Sequence, residues 1–462
     1  MKKSYFFVFV FFASALAAQQ DSILGYDVFI RQIRDYHPLS LKADLLVDVA
    51  NAGLLEAKGG FDPILDFKKA DKNFSGTTYY DKNALSLKWP TPWAVQLNTG
   101  IERAEGVYLD PETTVGTISY LGLDLPLLKG LWMDERRAAL QMAKQYRNQS
   151  EEARILAYNQ VVSSAAQAYW TWLEKYEVWR LTTDTWQLAE QRKNLLRTLF
   201  VNGDRSEADT MELFIQVNQL RMQRDERRTE YLNAGLHLSN FVWRETLFDS
   251  LMTGKIFPVK TDWQRGEEEG LKLALSNVPL LSNPAVKWYE FKLKALEIEQ
   301  RYKKQMLLPE LNLSTRLLSK NSYQFSGLDR FYFTENYLLG VQFKMPLLLR
   351  EGRGALQKTK IKIRDTQWDM QLKVRDLANK ESALTNELAL LVGQIENIAA
   401  LIQAQSRLYA LEISRFNLGE SSVFLVNARE QKLLELKGKE VELKAKRAKV
   451  IAKLYELRAT FL

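Results

Sequence analysis

Apolar positions recur along this chain with two different periods. Leu384, Leu388, Leu391, Ile395, Ile398 and Ile402 step by four and three residues, and so do Val162, Ala166, Tyr169, Leu173 and Tyr176. That spacing puts each set on one stripe of a helix and predicts coiled-coil seams. The helical pattern runs over about 131–200 and again over about 352–418. At ~1.5 Å of rise per residue each helix would reach ~100 Å. Ordinary globular helices are far shorter, so these need a neighbour along their whole length. Small residues such as Ala165 and Ala166 let that neighbour approach closely. Return helices are predicted over about 206–243 and 421–460, and a proline-started helix over about 39–58. Laid end to end, a return helix and the short helix match one long helix, an arithmetic suited to the wall of a cylinder.

The second period is two. Leu339, Val341, Phe343 and Met345 alternate with Gly340, Gln342 and Lys344. Leu121, Leu123 and Leu125 alternate with Gly122 and Asp124, and Leu311, Leu313 and Leu317 with Asn312, Ser314 and Arg316. Alternation over ~10 residues marks membrane-barrel strands whose polar side chains face a lumen. An antiparallel sheet on a soluble core gives the same pattern. Leu85–Trp89 and Val95–Asn98, joined through Pro90-Thr91-Pro92, read as an added hairpin, either in the barrel or outside it. The expectation is about four strands per chain. The smallest membrane barrels need eight, so several copies must share one; three copies of four strands give twelve.

The chain also repeats itself. Pro38 and Pro284 each open a helix, and Pro63 and Pro309 each open a strand; both pairs are 246 residues apart (284 − 38, 309 − 63). Pro126 and Pro346 follow the next strands at a spacing of 220 (346 − 126), so the first half carries 26 more residues between its strands. These four prolines, Pro63, Pro126, Pro309 and Pro346, mark the junctions between barrel and helices. Phe200-Val201-Asn202-Gly203-Asp204-Arg205-Ser206 and Phe416-Asn417-Leu418-Gly419-Glu420-Ser421 interrupt the long helices. In each, a left-handed glycine ends one helix and a Ser or Asp caps the next. The expected organisation is a signal peptide over 1–18, a first repeat over 19–245, a linker over 246–278 and a second repeat over 279–462.

Composition narrows the class. Apolar residues make up 46% and charged residues 26% of 462, which excludes a disordered chain. Residues 1–18 have the form of an export signal: Lys2-Lys3, an apolar run over Tyr5–Phe12, and Ala15-Leu16-Ala17 at the cleavage spacing. That run is shorter than the ~20 residues a membrane helix needs, and no later segment reaches that length without charges. A membrane form must therefore be a closed barrel. The formal charge of +8, or +6 once Lys2 and Lys3 leave with the signal, is spread along helices and gives no nucleic-acid face. Cysteine is absent, which excludes disulfides, thiolate metal sites and a lipidated N-terminal Cys. His37 and His237 stand 200 residues apart with no partner at i+4, and Glu267-Glu268-Glu269 reads as a solvated charge run. No phosphate loop or nucleophile elbow occurs. No catalytic constellation, metal site or cofactor is expected.

On these features the chain resembles the TolC family of outer-membrane efflux proteins. The resemblance rests on the His37-Pro38 and Asn283-Pro284 helix starts, the strand–proline–helix junctions at Pro126 and Pro346, and the Phe-x-x-Gly tips at Phe200–Gly203 and Phe416–Gly419. It covers nearly all of the chain after the signal. It implies an α+β membrane protein: a homotrimer with a twelve-stranded transmembrane β-barrel continued by a long α-helical periplasmic tunnel. It further implies docking of the tips (Phe200, Gly203, Ser206, Phe416, Gly419, Ser421) to a periplasmic adaptor protein, and work with an inner-membrane transporter in efflux or type I secretion. The family's acidic ring after the second tip glycine is missing, since Leu425 and Ala428 stand there. Its nearest substitutes are Asp209 and Glu212 after the first tip, which become the candidate periplasmic constriction; a solvated hairpin end is the other reading. His37 replaces the usual Asn before proline. The competing class is a soluble periplasmic coiled-coil scaffold, which accounts for the signal and the helices but not for the strands.

Overall fold

The computed structural model describes residues 22–243, 256–259, 262–264, 268, 270, 272, 279–320 and 336–461. The signal segment 1–18 and most of the segment 246–278, including Glu267 and Glu269, lie outside them. In chain order the strands are β1 Ser22–Leu24, β2 Ile64–Phe74, β3 Thr77–Pro90, β4 Gln96–Glu105, β5 Gly116–Pro126, β6 Ile256–Pro258, β7 Glu310–Lys320 and β8 Tyr337–Lys344. The helices are α1 Tyr26–Tyr36, α2 Pro38–Gly59, α3 Glu135–Val201, α4 Glu207–Ser239, α5 Pro284–Gln305, α6 Arg350–Asn417 and α7 Val423–Arg458. The chain divides into two compact units, each assembled from separated stretches. One comprises Lys42–Ala157 with Val278–Asn379; the other comprises residues up to Leu41 with Tyr158–Asn277 and Lys380–Leu462.

The first unit holds a six-stranded antiparallel sheet in the order β2-β3-β4-β5-β7-β8. About four strands were expected, so the count is corrected to six. The 26 extra residues become β3 and β4, which enter the sheet between β2 and β5; the only register shift along these pairings falls at the far end of β2, between Lys72 and Asn73. Their own alternation is the reason: Leu85, Leu87 and Trp89 fall on the same side as Leu97 and Ile101 when the strands pair. The turn is closed by Thr91, whose N–H and hydroxyl both donate to the Val95 carbonyl, with Ala94 left-handed at φ 69°. Beside the sheet, Met133, Ala138 and Ile298 form a small apolar cluster between the starts of α3 and the middle of α5. Arg147 donates to Asn51 and Arg154 pairs with Asp44, which ties α3 to α2.

The second unit is helical around an aromatic core. Tyr158, Val162, Ala165, Ala166, Tyr169, Trp170, Trp172 and Leu173 of α3 pack with Phe29, Ile33, Tyr231, Leu238 and Ile256. Each large side chain taken fully from water contributes on the order of 1.5–3 kcal/mol. The stripe Val162, Ala166, Tyr169 and Leu173 is wholly buried, as its spacing requires. The segment read as a linker contributes more than a connection. Its β6 pairs in parallel with β1, and the buried Asp262 carboxylate accepts the Tyr26 N–H and the Tyr169 hydroxyl. Burial and the adjacent carboxylate push the Tyr169 phenol well above its ordinary range. Further along the unit, Leu391, Ile395 and Ile398 of α6 meet Leu443, Val450, Ile451 and Leu454 of α7. By length and composition α6 contains a stretch apolar enough to cross a membrane. Only a minor part of that stretch is buried in the single chain; the seam Leu391, Ile395 and Ile398 is the part of α6 that packs on α7.

Two helix starts use the same device. The Asn283 side chain accepts the Ala285 N–H at 2.9 Å, and the His37 Nδ1 accepts the Leu39 N–H at 3.1 Å. Imidazole thus replaces carboxamide as the cap before proline. His37 is buried, and burial lowers its pKa from the ordinary 6.5 despite a hydrogen bond to the Asn240 backbone. The folded state therefore resists a proton that the unfolded chain accepts, and stability is lost as pH falls below the unfolded value of about 6.5. His37→Asn keeps an acceptor that does not titrate. Its melting temperature should drop less than wild type between pH 7.5 and 5.5. Identical pH dependence of the two proteins would show that the His37 cap does not titrate with folding.

Candidate functional site

The sheet sorts its side chains into two chemically distinct faces. Directly paired residues share a face, so the register can be followed strand by strand. Phe343, Val341 and Leu339 pair with Leu311, Leu313 and Thr315. Leu313, Thr315 and Leu317 pair with Leu125, Leu123 and Leu121. Leu123 and Leu121 pair with Leu97 and Thr99, and these with Trp89 and Leu87. Leu87 and Leu85 pair with Leu65 and Phe67. One apolar face therefore crosses all six strands without interruption. It is most open to solvent on the two outer strands, where Leu65, Phe67, Val341 and Phe343 are each 64–68% exposed, while Leu97 and Leu313 between them are half-buried.

The opposite face carries Asp66, Ser86, Lys88, Gln96, Asn98, Asp124, Asn312, Ser314, Arg316, Gln342 and Lys344. Asn98 donates to Asp124 at 2.5 Å and accepts from Gln96 at 3.0 Å. The Tyr120 ring lies over Gly100, where a Cβ would come within 2.7 Å of the Leu85 carbonyl and the Tyr120 hydroxyl. Arg316 stacks on that ring at 4.9 Å. This polarity is what a water-filled lumen requires, and the apolar face is what lipid requires.

The four prolines stand at strand ends. Pro63 and Pro309 immediately precede β2 and β7, Pro126 closes β5, and Pro346 follows β8 by two residues. Beyond Pro126 the chain stays attached to the sheet: the Leu127 N–H donates to the Leu311 carbonyl, and Lys129 pairs with Glu310 at 2.6 Å. Arg137, hydrogen bonded to Asp134 and to the carbonyls of Gly130 and Leu131, then fixes the start of α3.

At the tips, Gly203 and Gly419 are both left-handed, with φ 81° and 78°. Ser206 caps α4 and exchanges hydrogen bonds with Asp209: its hydroxyl accepts the Asp209 N–H and donates to the carboxylate. Asp209 is thus already engaged by both its backbone and its carboxylate at the N-cap of α4. Glu212 lies one turn further along α4, half-buried. On the second tip the cap is Ser422, which accepts the Leu425 N–H. Ser421 instead donates to Glu412. Ser206 and Ser422 each stand three residues past their glycine, the one signal that separates the two serines in the sequence. Arg205 joins the tips: it donates to the carbonyls of Phe416 and Ser421 and lies 4.2 Å over the Phe416 ring. Phe416 is buried, whereas Phe200, Val201, Met211, Phe214, Ile215, Leu418 and Phe424 remain exposed.

Behind the tips lies a polar network absent from the sequence expectations. Arg192 of α3 makes a two-pronged pair with Glu430 of α7 at 2.6 and 3.3 Å and donates to Tyr409 of α6 at 2.9 Å. Burial works against the Arg192 charge, but Glu430 outweighs it and the guanidinium is held charged. Burial, and then the Glu430 carboxylate, push the Tyr409 phenol up to about 12. His37 and His237 both pack against Phe241.

This fold is shared with TolC-family outer-membrane channels. The Campylobacter jejuni CmeC outer-membrane channel matches over 94% of this chain and 85% of its own, with a TM-score of 0.65 at 14% identity. The Vibrio cholerae outer-membrane protein VceC matches over 93% and 95%, TM-score 0.64, at 13% identity. The open state of the Neisseria gonorrhoeae MtrE outer-membrane channel matches over 96% and 93%, TM-score 0.63, at 13% identity. These neighbours are channels, not enzymes. No sequence-family profile matches the chain, and no curated protein matches it in sequence.

The Arg192–Glu430 pair carries a measurable consequence. Removing one partner of a buried pair leaves an uncompensated charge, at a cost of about 3–5 kcal/mol, whereas replacing both is far better tolerated. Glu430→Leu should therefore lower the unfolding temperature more than the double variant Arg192→Met, Glu430→Leu. The two are compared at one scan rate in detergent; a double variant at least as unstable as the single would contradict the pairing.

Proposed function

We propose that this chain is the outer-membrane exit duct of a tripartite efflux or type I secretion assembly in a Gram-negative bacterium. Three copies would share one transmembrane barrel and continue it as a helical tunnel through which cargo passes passively. The observation that carries this reading is the apolar face spanning β2, β3, β4, β5, β7 and β8, backed by a polar one. In water such a face costs free energy over its whole area; against lipid it does not. The two readings of Pro63, Pro126, Pro309 and Pro346, as strand ends and as the levels at which barrel gives way to helix, are consistent.

Exposed helical stripes support association of copies. Ile361, Trp368 and Leu372, then Leu401, Leu408 and Leu411, remain exposed on α6 at coiled-coil spacing. A stripe of that spacing fits another helix of the same kind. The exposed apolar side chains at the tips, with Phe200, Gly203, Ser206, Phe416, Gly419 and Ser421 at their centre, are offered to a periplasmic adaptor, which would couple the duct to an inner-membrane transporter. Asp209 and Glu212 are the candidate constriction. Repeated three times around an axis, their carboxylates would attract cations. The scaffold alternative leaves the sheet face without a partner.

The protein should resist carbonate extraction, need detergent for release, migrate as a trimer and conduct ions in planar bilayers. A monomer that washes freely from membranes and gives no conductance would favour the scaffold. Within the duct, Asp209→Asn should weaken cation block and change single-channel conductance. If both are unchanged, Asp209 serves only the Ser206 cap.

A further inference from the structure

The sheet bears on how the barrel closes. β2 and β8 are its two edges, eleven and eight residues long. Neither has a second strand neighbour among the described residues. Long, flat edges with unpaired backbone groups are avoided in water and forbidden in the hydrocarbon of a membrane. Each edge also belongs to the apolar face: Leu65 and Phe67 on β2, Leu339, Val341 and Phe343 on β8, all exposed.

We propose that the partner for each edge is a second copy of this chain: β8 of one protomer pairs antiparallel with β2 of the next, and three copies close an eighteen-stranded barrel. The proposal rests on the trimeric-duct reading. Directions agree: six antiparallel strands in sequence leave β2 and β8 opposed, so copies join head to tail without breaking the alternation. Inserting the β3–β4 pair preserves this, because two strands restore the direction that one would reverse. The inserted pair is structural wall rather than an external flap. β4 is paired to β3 from Gln96 to Glu105 and to β5 from Gln96 to Ala104, and the Tyr120 ring of β5 fits over Gly100 of β4 where no larger residue has room. Leu85, Leu87 and Trp89 extend the apolar face through the insertion.

The strand number sets the bore. Barrel diameter grows roughly linearly with strand number, so eighteen strands give an opening about 1.5-fold wider than twelve. Beyond the apolar band, β2 and β3 continue as a polar ribbon in which Lys69 pairs with Asn83 and Asp71 with Asp81. That ribbon stands clear of the lipid.

Because the chain contains no cysteine, engineered disulfides test the closure cleanly. Asp66→Cys is combined in turn with Gly340→Cys, Gln342→Cys and Lys344→Cys, which covers adjacent registers on the polar face. Oxidation in the membrane should convert at least one pair to a covalent trimer as the main species, reversed by reductant. The control pair, Glu102→Cys with Gln342→Cys, would join β4 to β8 of a neighbour if β2 and β3 stood outside the wall. Cross-linking of the control alone, in protein that still migrates as a trimer and conducts, overturns the eighteen-stranded closure and leaves the duct standing. No cross-link in a conducting trimer at any of the β2–β8 registers also overturns it. Loss of both trimer and conductance in the cysteine-free parent overturns the duct reading and this inference with it.

Discussion

Everything in this molecule answers to one constraint: a sheet apolar on one side, polar on the other and open at both edges has no comfortable place in water. The apolar face runs from Phe343 through Leu313, Leu123, Leu97 and Leu87 to Leu65, and its edge residues Phe343 and Leu65 stand exposed in the single chain. A layer of helices could hide such a face, but would not supply the second strand neighbour that β2 and β8 lack among the described residues. Lipid satisfies the face, and only strand pairing satisfies the edges. In the proposed duct the polar side, with Asn98, Asp124 and Arg316, is the inside.

The helices solve a related problem by another route. Helices of 67 and 68 residues are held within the chain by α4 and α7, by the aromatic core around Tyr169 and Trp172, and by the Arg192–Glu430–Tyr409 network near the tips. What remains is a set of exposed stripes at coiled-coil spacing. They ask for the same partner as the sheet edges, another copy of the chain, so one symmetric assembly can discharge both demands.

Much of this was legible in the sequence because its signals are local and periodic. Steps of four and three located α3 and α6, alternation located β5, β7 and β8, and prolines marked the strand ends. The left-handed turns were readable from Gly203 and Gly419, since a residue without a Cβ is the usual means to that geometry. What escaped depended on distant partners. Leu85–Trp89 was recognisable as a strand, but whether it joined the sheet depended on pairing with both β2 and β4. Asp262 lies in a stretch read as a polar linker, and only the approach of Tyr26 and Tyr169 makes it part of the core. Arg192 and Glu430 are 238 residues apart, beyond any periodicity. At the second tip two serines adjoin, and the capping role falls to Ser422, three residues past the glycine as Ser206 is at the first.

The most direct measurement is spin-label accessibility along β7 in lipid vesicles, one introduced cysteine at a time from Leu311 to Leu317. The account predicts strict alternation. Labels at 311, 313, 315 and 317 should relax with lipid-soluble oxygen, and labels at 312, 314 and 316 with a water-soluble nickel chelate. Uniform access to the chelate at every position would mean that the sheet never enters a bilayer, and the central claim would be wrong.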